Sequence, residues 1–291
     1  SILGQTAILA GHQRVMTEIL QILILGLVLG GVYALMASGL TLVFGVMRIV
    51  NIAHSVFIIL AAYIAYWGFT LYGLDPMVSI LITMPLMFLL SVILYRLLFP
   101  RIADSPRYVE MTVLLTFALA LILEGSMGFF FTGIYRSTNP SYTTQALLFG
   151  PYYLPLAQFY ATLLSVALLA LLFAFLHFSR IGRAIRATMQ NRTAAQIVGV
   201  NVERISTLAF GVGTALAGAS GSLMSFLFTF FPAKHWQWVA MLLALIVLGG
   251  MGSLVGAITG ALLLAVAAAY VSHFFGPTWS PITFFPVSYT H

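Results

Sequence analysis

Apolar runs of about 20 residues, separated by short polar connections, recur along most of this 291-residue chain. Each run suits a helix crossing a hydrocarbon layer of roughly 30 Å. The pattern predicts spans at 19–40, 52–69, 76–99, 109–131, 155–178, 205–230, 239–254 and 255–275. The short alternating segments of a transmembrane β-barrel are absent. Backbone in lipid must bond to itself, so the runs are helices. The expected fold class is all-α, a polytopic transmembrane helical bundle of about eight spanning segments. The bundle occupies 19–280. Residues 1–18, only mildly apolar and without a usual signal-peptide form, are expected as an N-terminal extracytoplasmic segment. Residues 281–291 start another apolar run too short to cross, and are expected as an incomplete or altered C-terminal segment.

Two regions depart from simple spans. Between Leu40 and Asn51 the chain stays apolar but carries Gly45 and Arg48, then reaches Asn51 and His54. Later, Leu248-Gly249-Gly250-Met251-Gly252-Ser253 interrupts a long apolar stretch. Glycine weakens helices, and breaks at membrane depth persist only where protein or a wet cavity satisfies the freed backbone. Broken helices are therefore expected near Gly45 to Asn51 and near Gly249 to Ser253, in the manner of segments that line substrate pathways. Close helix packing through small residues is the competing explanation. Residues 132–154 read as an outer loop near the headgroups, because Gly133, Ser137, Asn139, Pro140, Ser141, Gly150 and Pro151 are turn-formers and several tyrosines are interfacial.

Composition agrees. The chain is 62% hydrophobic and 6% charged, whereas a soluble domain carries about 25% charged residues. The formal charge of +6 is not a nucleic-acid signal. Arg48, Arg96, Arg101, Arg107, Arg180, Arg183, Arg186, Arg192 and Arg204 fall on one side of the expected topology, and Arg14, Arg136 and Lys234 on the other. The positive-inside rule makes the first side cytoplasmic and the N-terminus external. There is no cysteine, so disulfides and thiolate metal sites are excluded.

Few residues offer chemistry. Glu124 is the only acid well inside an expected span, where a charge costs about 2.5–3.5 kcal/mol. Asn51 and His54 lie three apart, on one face of a helix beginning there. With Gly249 and Gly250, these three form the candidate translocation pathway. The histidines lack zinc spacing. No Walker A sequence occurs, so any energy from nucleotide must come from another polypeptide. Gly218-Ala219-Ser220-Gly221 resembles the Gly-x-Ser-Gly signature of rhomboid intramembrane proteases, with His273 as a conceivable base. Ser220, however, sits in a small-residue run with helix-packing spacing.

The polar connection Gly182-Arg183-Ala184-Ile185-Arg186-Ala187, followed by Thr193-Ala194-Ala195 and Gly199, lies between two long apolar runs. It reads as a cytoplasmic docking loop for a partner that supplies energy.

Three stretches in order resemble the branched-chain amino acid permease family of bacterial and archaeal ABC importers, most of all its shorter LivH-type members. They are 44–54 (FGVMRIVNIAH), 179–201 from Ser179-Arg180-Ile181-Gly182-Arg183-Ala184 to Gly199-Val200-Asn201, and 247–257 (VLGGMGSLVGA). Ala194-Ala195-x-x-x-Gly199 also resembles the core of the importer coupling motif. The resemblance implies a permease subunit that translocates amino acids, branched-chain ones first, across the cytoplasmic membrane of a prokaryote. It implies cytoplasmic ABC ATPase subunits that bind the ATP and dock on Gly182, Arg183, Arg186, Ala194, Ala195 and Gly199. A second permease subunit and an extracytoplasmic substrate-binding protein complete the expected partners. This chain itself would hold no cofactor and catalyse no covalent step. It departs from the family at Ser55-Val56, where Gly-Glu often follows the histidine, and at Thr193, which replaces an acid. Amides and urea remain alternative substrates. A secondary transporter driven by an ion gradient is the rival mechanism, with Glu124 as its coupling acid.

Overall fold

The structure, a computed structural model, describes residues 2–103 and 105–284, with side chains from residue 14 onward. Along the chain lie α1 (Ile2–Met47), α2 (His54–Tyr72), α3 (Ile80–Leu98), α4 (Tyr108–Phe131), β1 (Ala146–Phe149), β2 (Tyr152–Pro155), α5 (Leu156–Phe178), α6 (Arg180–Gln190), α7 (Arg192–Ile197), α8 (Val202–Leu227), α9 (His235–Gly249) and α10 (Leu254–Phe275). The long helices are apolar on every face, as membrane spans are.

Among the described residues, seven helices are long and apolar enough to cross a membrane: α1, α2, α3, α4, α5, α8 and α10. The eighth expected span is α9. Its 15 residues reach only about 22 Å, short of the hydrocarbon thickness. The helix expected from residue 19 begins at Ile2, so the described part of segment 1–18 is helical and continuous with α1. Of the expected C-terminal segment 281–291, residues up to Phe284 belong to a 3-10 turn, Pro277–Phe284, and 285–291 lie outside the described residues.

The break expected near Gly45 to Asn51 is present and begins at Arg48, whose φ is 58°, while the helix runs on through Gly45 itself. Gly45 is instead a contact point, since a methyl group there would strike the Met189 side chain and lie 3.4 Å from the Gly252 Cα. The outer connection, residues 132–154, contains a short hairpin. β1 and β2 pair antiparallel from Ala146↔Pro155 to Phe149↔Tyr152, turning at Gly150, whose φ is 60°. Strands of four residues are too short for alternation to betray them.

The core forms around α8, which packs on α1, α2 and α3. Glycine makes this possible where α8 crosses α1: a methyl group at Gly213 would sit 2.6 Å from the Gly39 carbonyl oxygen. The small-residue run of α8 is thus a packing surface. By contrast, α4 and α5 bury little of their surface and ring the outside. One end of the bundle carries α6, α7 and Arg48, and is called the arginine end below. The other carries the β1–β2 hairpin.

Candidate translocation site and coupling loop

Between α1 and α2 the chain makes a turn, residues 48–53, inside the bundle. Ile52 N–H donates to Thr116 Oγ1 at 3.3 Å, and that hydroxyl lies 3.5 Å from the Val50 carbonyl. Thr116 is eight residues into α4, about 12 Å from its arginine-end terminus. The first turn of α2 therefore starts at depth rather than at a surface. His54 opens α2 and is fully buried, with Nε2 donating to the Met36 carbonyl of α1 at 3.2 Å. The donating nitrogen carries the proton in this tautomer. Asn51 lies in the turn just ahead of the helix rather than on its face, and His54 N–H donates to its carbonyl at 3.3 Å. The Asn51 amide is fully buried, and neither its oxygen nor its nitrogen has a partner among the described residues. Buried polar atoms are satisfied in the great majority of cases, so this turn holds an open polar demand.

Glu124 accepts two hydrogen bonds on the same oxygen. His235 Nε2 donates to Oε2 at 3.1 Å, and Trp236 Nε1 at 2.9 Å. His235 is fully buried, and its Nδ1 stands 3.5 Å from Ser55 Oγ in the first turn of α2. Three elements thus converge: α4 brings the acid, α9 begins with the imidazole and indole, and α2 begins with the hydroxyl. Glu124 lies seven residues from the end of α4, about 10 Å below the hairpin end. A groove of about 420 Å³ runs past it, lined by Leu121, Gly125, Gly128, Gly133, Phe231, Pro232 and Ala233.

The expected pathway residues are only partly brought together. Ser55 and His235 link the Asn51–His54 turn to Glu124. Gly249 and Gly250 lie elsewhere, in the α9–α10 hairpin at the arginine end. There Gly249 passes so close to Gly256 that a methyl group would collide with its carbonyl, and Gly250 and Gly252 hold φ of 85° and 87°. Their glycines meet the needs of a tight helix hairpin. Ser55, His235 and Trp236 were not singled out from sequence. Ser55 carried a signal, as the departure from the family pattern beside His54. His235 and Trp236 carried none, because nothing in the sequence says they face residue 124.

The expected coupling loop is a pair of helices, α6 and α7, meeting at Asn191. Ser179 Oγ accepts from Gly182 N–H at 2.8 Å, Asn191 Oδ1 from Ala194 N–H at 3.0 Å, and Asn201 Oδ1 from Arg204 N–H at 3.0 Å. These side chains cap α6, α7 and α8 in turn. Gly199 ends α7 with φ 87°, while Val200 N–H returns to the Ala195 carbonyl at 3.0 Å, a glycine C-terminal cap. Gly182 is pressed onto the backbone of Phe175 and Leu176. Arg183 is exposed and donates to the Phe178 carbonyl at 3.2 Å, and Arg186 is half-buried. Ala194 is exposed, but Ala195 is buried against its own chain. The small residue expected to admit a partner at 195 is therefore occupied internally. The apolar surface offered to solvent is Ile197, 81% exposed, and Val198, 77% exposed. Arg48 joins loop and turn, its Nη2 donating to the Met189 carbonyl near the end of α6 at 3.0 Å.

Ser220 is fully buried and donates to the Leu216 carbonyl at 2.8 Å. His273 is exposed in the last turn of α10, and no hydrogen bond joins the two among the described residues. Ser220 is thus committed to its own helix backbone, with no bond to His273 as a base among the described residues.

Comparisons with known proteins identify the family. The family model described as "Branched-chain amino acid transport system / permease component" matches residues 22–287. The chain is 27% identical over 243 residues to the "Probable branched-chain amino acid transport permease protein LivH" of Methanocaldococcus jannaschii, covering 82% of this chain and 77% of that one. It is 28% identical over 289 residues to the high-affinity branched-chain amino acid transport system permease protein BraD of Pseudomonas aeruginosa, covering 91% and 90%. A shorter stretch of 96 residues is 33% identical to the permease protein LivM of Escherichia coli, covering 32% of this chain and 23% of that one. No solved structure matches. The multi-pass helical bundle, its turn at residues 48–53 and its glycine hairpin thus belong to a chain that is a member of the branched-chain amino acid transport permease family.

Proposed function

We propose that this chain is the transmembrane permease subunit of an ABC importer. It moves amino acids, branched-chain ones first, across the cytoplasmic membrane of a prokaryote, and a separate ATPase supplies the energy. The observation that carries the reading is the exposed Ile197–Val198 knuckle between capped helices at the arginine end, tied by Arg48 to a turn at membrane depth. An ATPase docked there moves α6 and α7, and Arg48 passes the movement to the Asn51–His54 turn. Asn51, His54 and Glu124 line the pathway, and Gly249 and Gly250 hinge its inner mouth. The thinly buried face of α4 meets a second permease subunit, which closes the pathway. An extracytoplasmic binding protein delivers substrate at the hairpin end. ATP binds to the ATPase, and this chain carries no catalytic step of its own.

The test is uptake into proteoliposomes containing this chain, its permease partner, the ATPase pair and the binding protein. Accumulation of leucine that needs ATP supports the reading. Leucine uptake that persists without the ATPase and follows an imposed ion gradient overturns it in favour of a secondary transporter.

A further inference from the structure

Glu124 is the one carboxylate deep in α4, and its surroundings ask for a cation. Both protein donors, His235 Nε2 and Trp236 Nε1, fall on Oε2. Indole can only donate, and His235 Nε2 donates to the carboxylate in either protonation state of the ring, whichever way Nδ1 and the Ser55 hydroxyl share a proton. Oε1 receives no hydrogen bond, and no arginine or lysine pairs with Glu124, among the described residues. Nor does any cluster there have the makings of a metal site. The carboxylate is thus held in place through one oxygen, with the other open and no arginine or lysine paired with it among the described residues.

It borders a groove of about 420 Å³ with two other kinds of wall. Leu121, Phe231, Pro232 and Ala233 are apolar. Gly125, Gly128 and Gly133 present bare backbone, and a methyl group on any of them would meet nothing within 4 Å. One anionic oxygen beside an apolar, glycine-floored groove matches a small molecule with a primary ammonium at one end and an aliphatic side chain at the other.

We infer that Glu124 Oε1 receives the ammonium group of the translocated amino acid, while the side chain lies along Leu121, Phe231 and Pro232. His235 and Trp236 are positioning residues that hold the carboxylate, and Ser55 holds His235. This deepens the importer reading and rests on it. It also fits the placement of the acid on a thinly buried helix, where a second permease subunit covers the groove. The competing occupant of Oε1 is a basic side chain of that second subunit.

The test uses the complete complex of both permease subunits and the ATPase pair, in nanodiscs, binding radiolabelled leucine without the binding protein. Two competitors dissect the ligand: 3-methylbutan-1-amine keeps the ammonium and loses the carboxylate, and 4-methylpentanoate does the reverse. The amine is expected to displace leucine and the acid to fail. Glu124→Gln is expected to weaken leucine binding about 10–100-fold, as loss of a charge-assisted hydrogen bond does, and Glu124→Asp to weaken it less. A wild-type complex that imports leucine with its binding protein, yet shows no saturable leucine binding here, overturns the assignment. So does displacement by the acid as strong as by the amine, or Glu124→Gln binding like wild type. In each case importer function stands. A wild-type complex that imports no amino acid sinks the underlying reading instead. The competitor experiment needs no variant, so a misfolded Glu124→Gln cannot rescue the idea.

Discussion

Replacing the two exposed apolar residues of the proposed coupling loop tests whether an ATPase docks there. Ile197→Ala removes three carbons and Val198→Ala two, and the pair stands 81% and 77% exposed in the isolated chain. If an ATPase groove covers them, each carbon is worth about 0.8 kcal/mol when buried, and weighting by exposure gives about 3 kcal/mol for the double variant. That corresponds to roughly 200-fold in Kd at 1.4 kcal/mol per decade. Alanine suits both positions, at the last residue of α7 and its cap, so the loop itself should persist. The assay is titration of the nanodisc-embedded permease pair with purified ATPase, read by biolayer interferometry, alongside ATP-driven uptake. Leu148→Ala/Phe149→Ala serves as control, since these are similarly exposed on the hairpin at the other end of the bundle, and it should leave ATPase affinity unchanged. An Ile197→Ala/Val198→Ala affinity within about threefold of wild type would refute the docking assignment, because that shift is below 1 kcal/mol.

Further expectations separate packing from transmission. Arg48→Ala removes the bond to the Met189 carbonyl and should lower leucine moved per ATP hydrolysed by several-fold while the ATPase still docks; an unchanged ratio would show that this link carries no force. Ala195→Leu should reduce the thermal stability of the complex by about 1–3 kcal/mol through overpacking, since the site is buried, whereas Ala194→Leu at the exposed neighbour should not; equal effects would disprove the burial argument. Ser220 should resist serine-reactive probes as completely as a Ser220→Ala control, because its hydroxyl is buried and bonded to the Leu216 carbonyl; specific labelling would reopen the protease alternative. Tyr142 OH donates to Asp75 Oδ1 at 3.1 Å, and burial, followed by the nearby Asp75 charge and this bond, pushes the phenol above its ordinary range. The neutral phenol is thus favoured by folding, so this contribution should stay constant between about pH 6 and 9 and begin to fall only as pH rises past the ordinary tyrosine value near 10. Tyr142→Phe should loosen the hairpin end by roughly 1.5–3 kcal/mol, seen as faster proteolysis within 141–155, and protection equal to wild type would argue against the anchor.

The membrane class, the helical fold and the arginine asymmetry were legible in the chain itself, because apolar run length and charge placement answer to the bilayer and not to any particular neighbour. The segment 179–201 stood out as a polar connection between apolar runs, but its division into helices capped by Ser179, Asn191 and Asn201 emerged only in the structure. Glu124 stood out as an isolated charge in an apolar run. Its partners did not, because His235 and Trp236 lie 111 and 112 positions away, and only packing decides which distant side chains meet. The same holds for Ala195, whose small size reads equally as an opening for a partner or as close packing at home. The break at residues 48–53 was signalled by Gly45, Arg48 and Asn51, but the exact residue at which the helix stops depends on neighbours that satisfy its backbone, such as Thr116 at Ile52, and the shortness of α9 was hidden in a run as apolar as any span. Local chemistry and the solvent shaped what could be read along the chain, while the contacts that assemble the site came from the three-dimensional meeting of α2, α4 and α9.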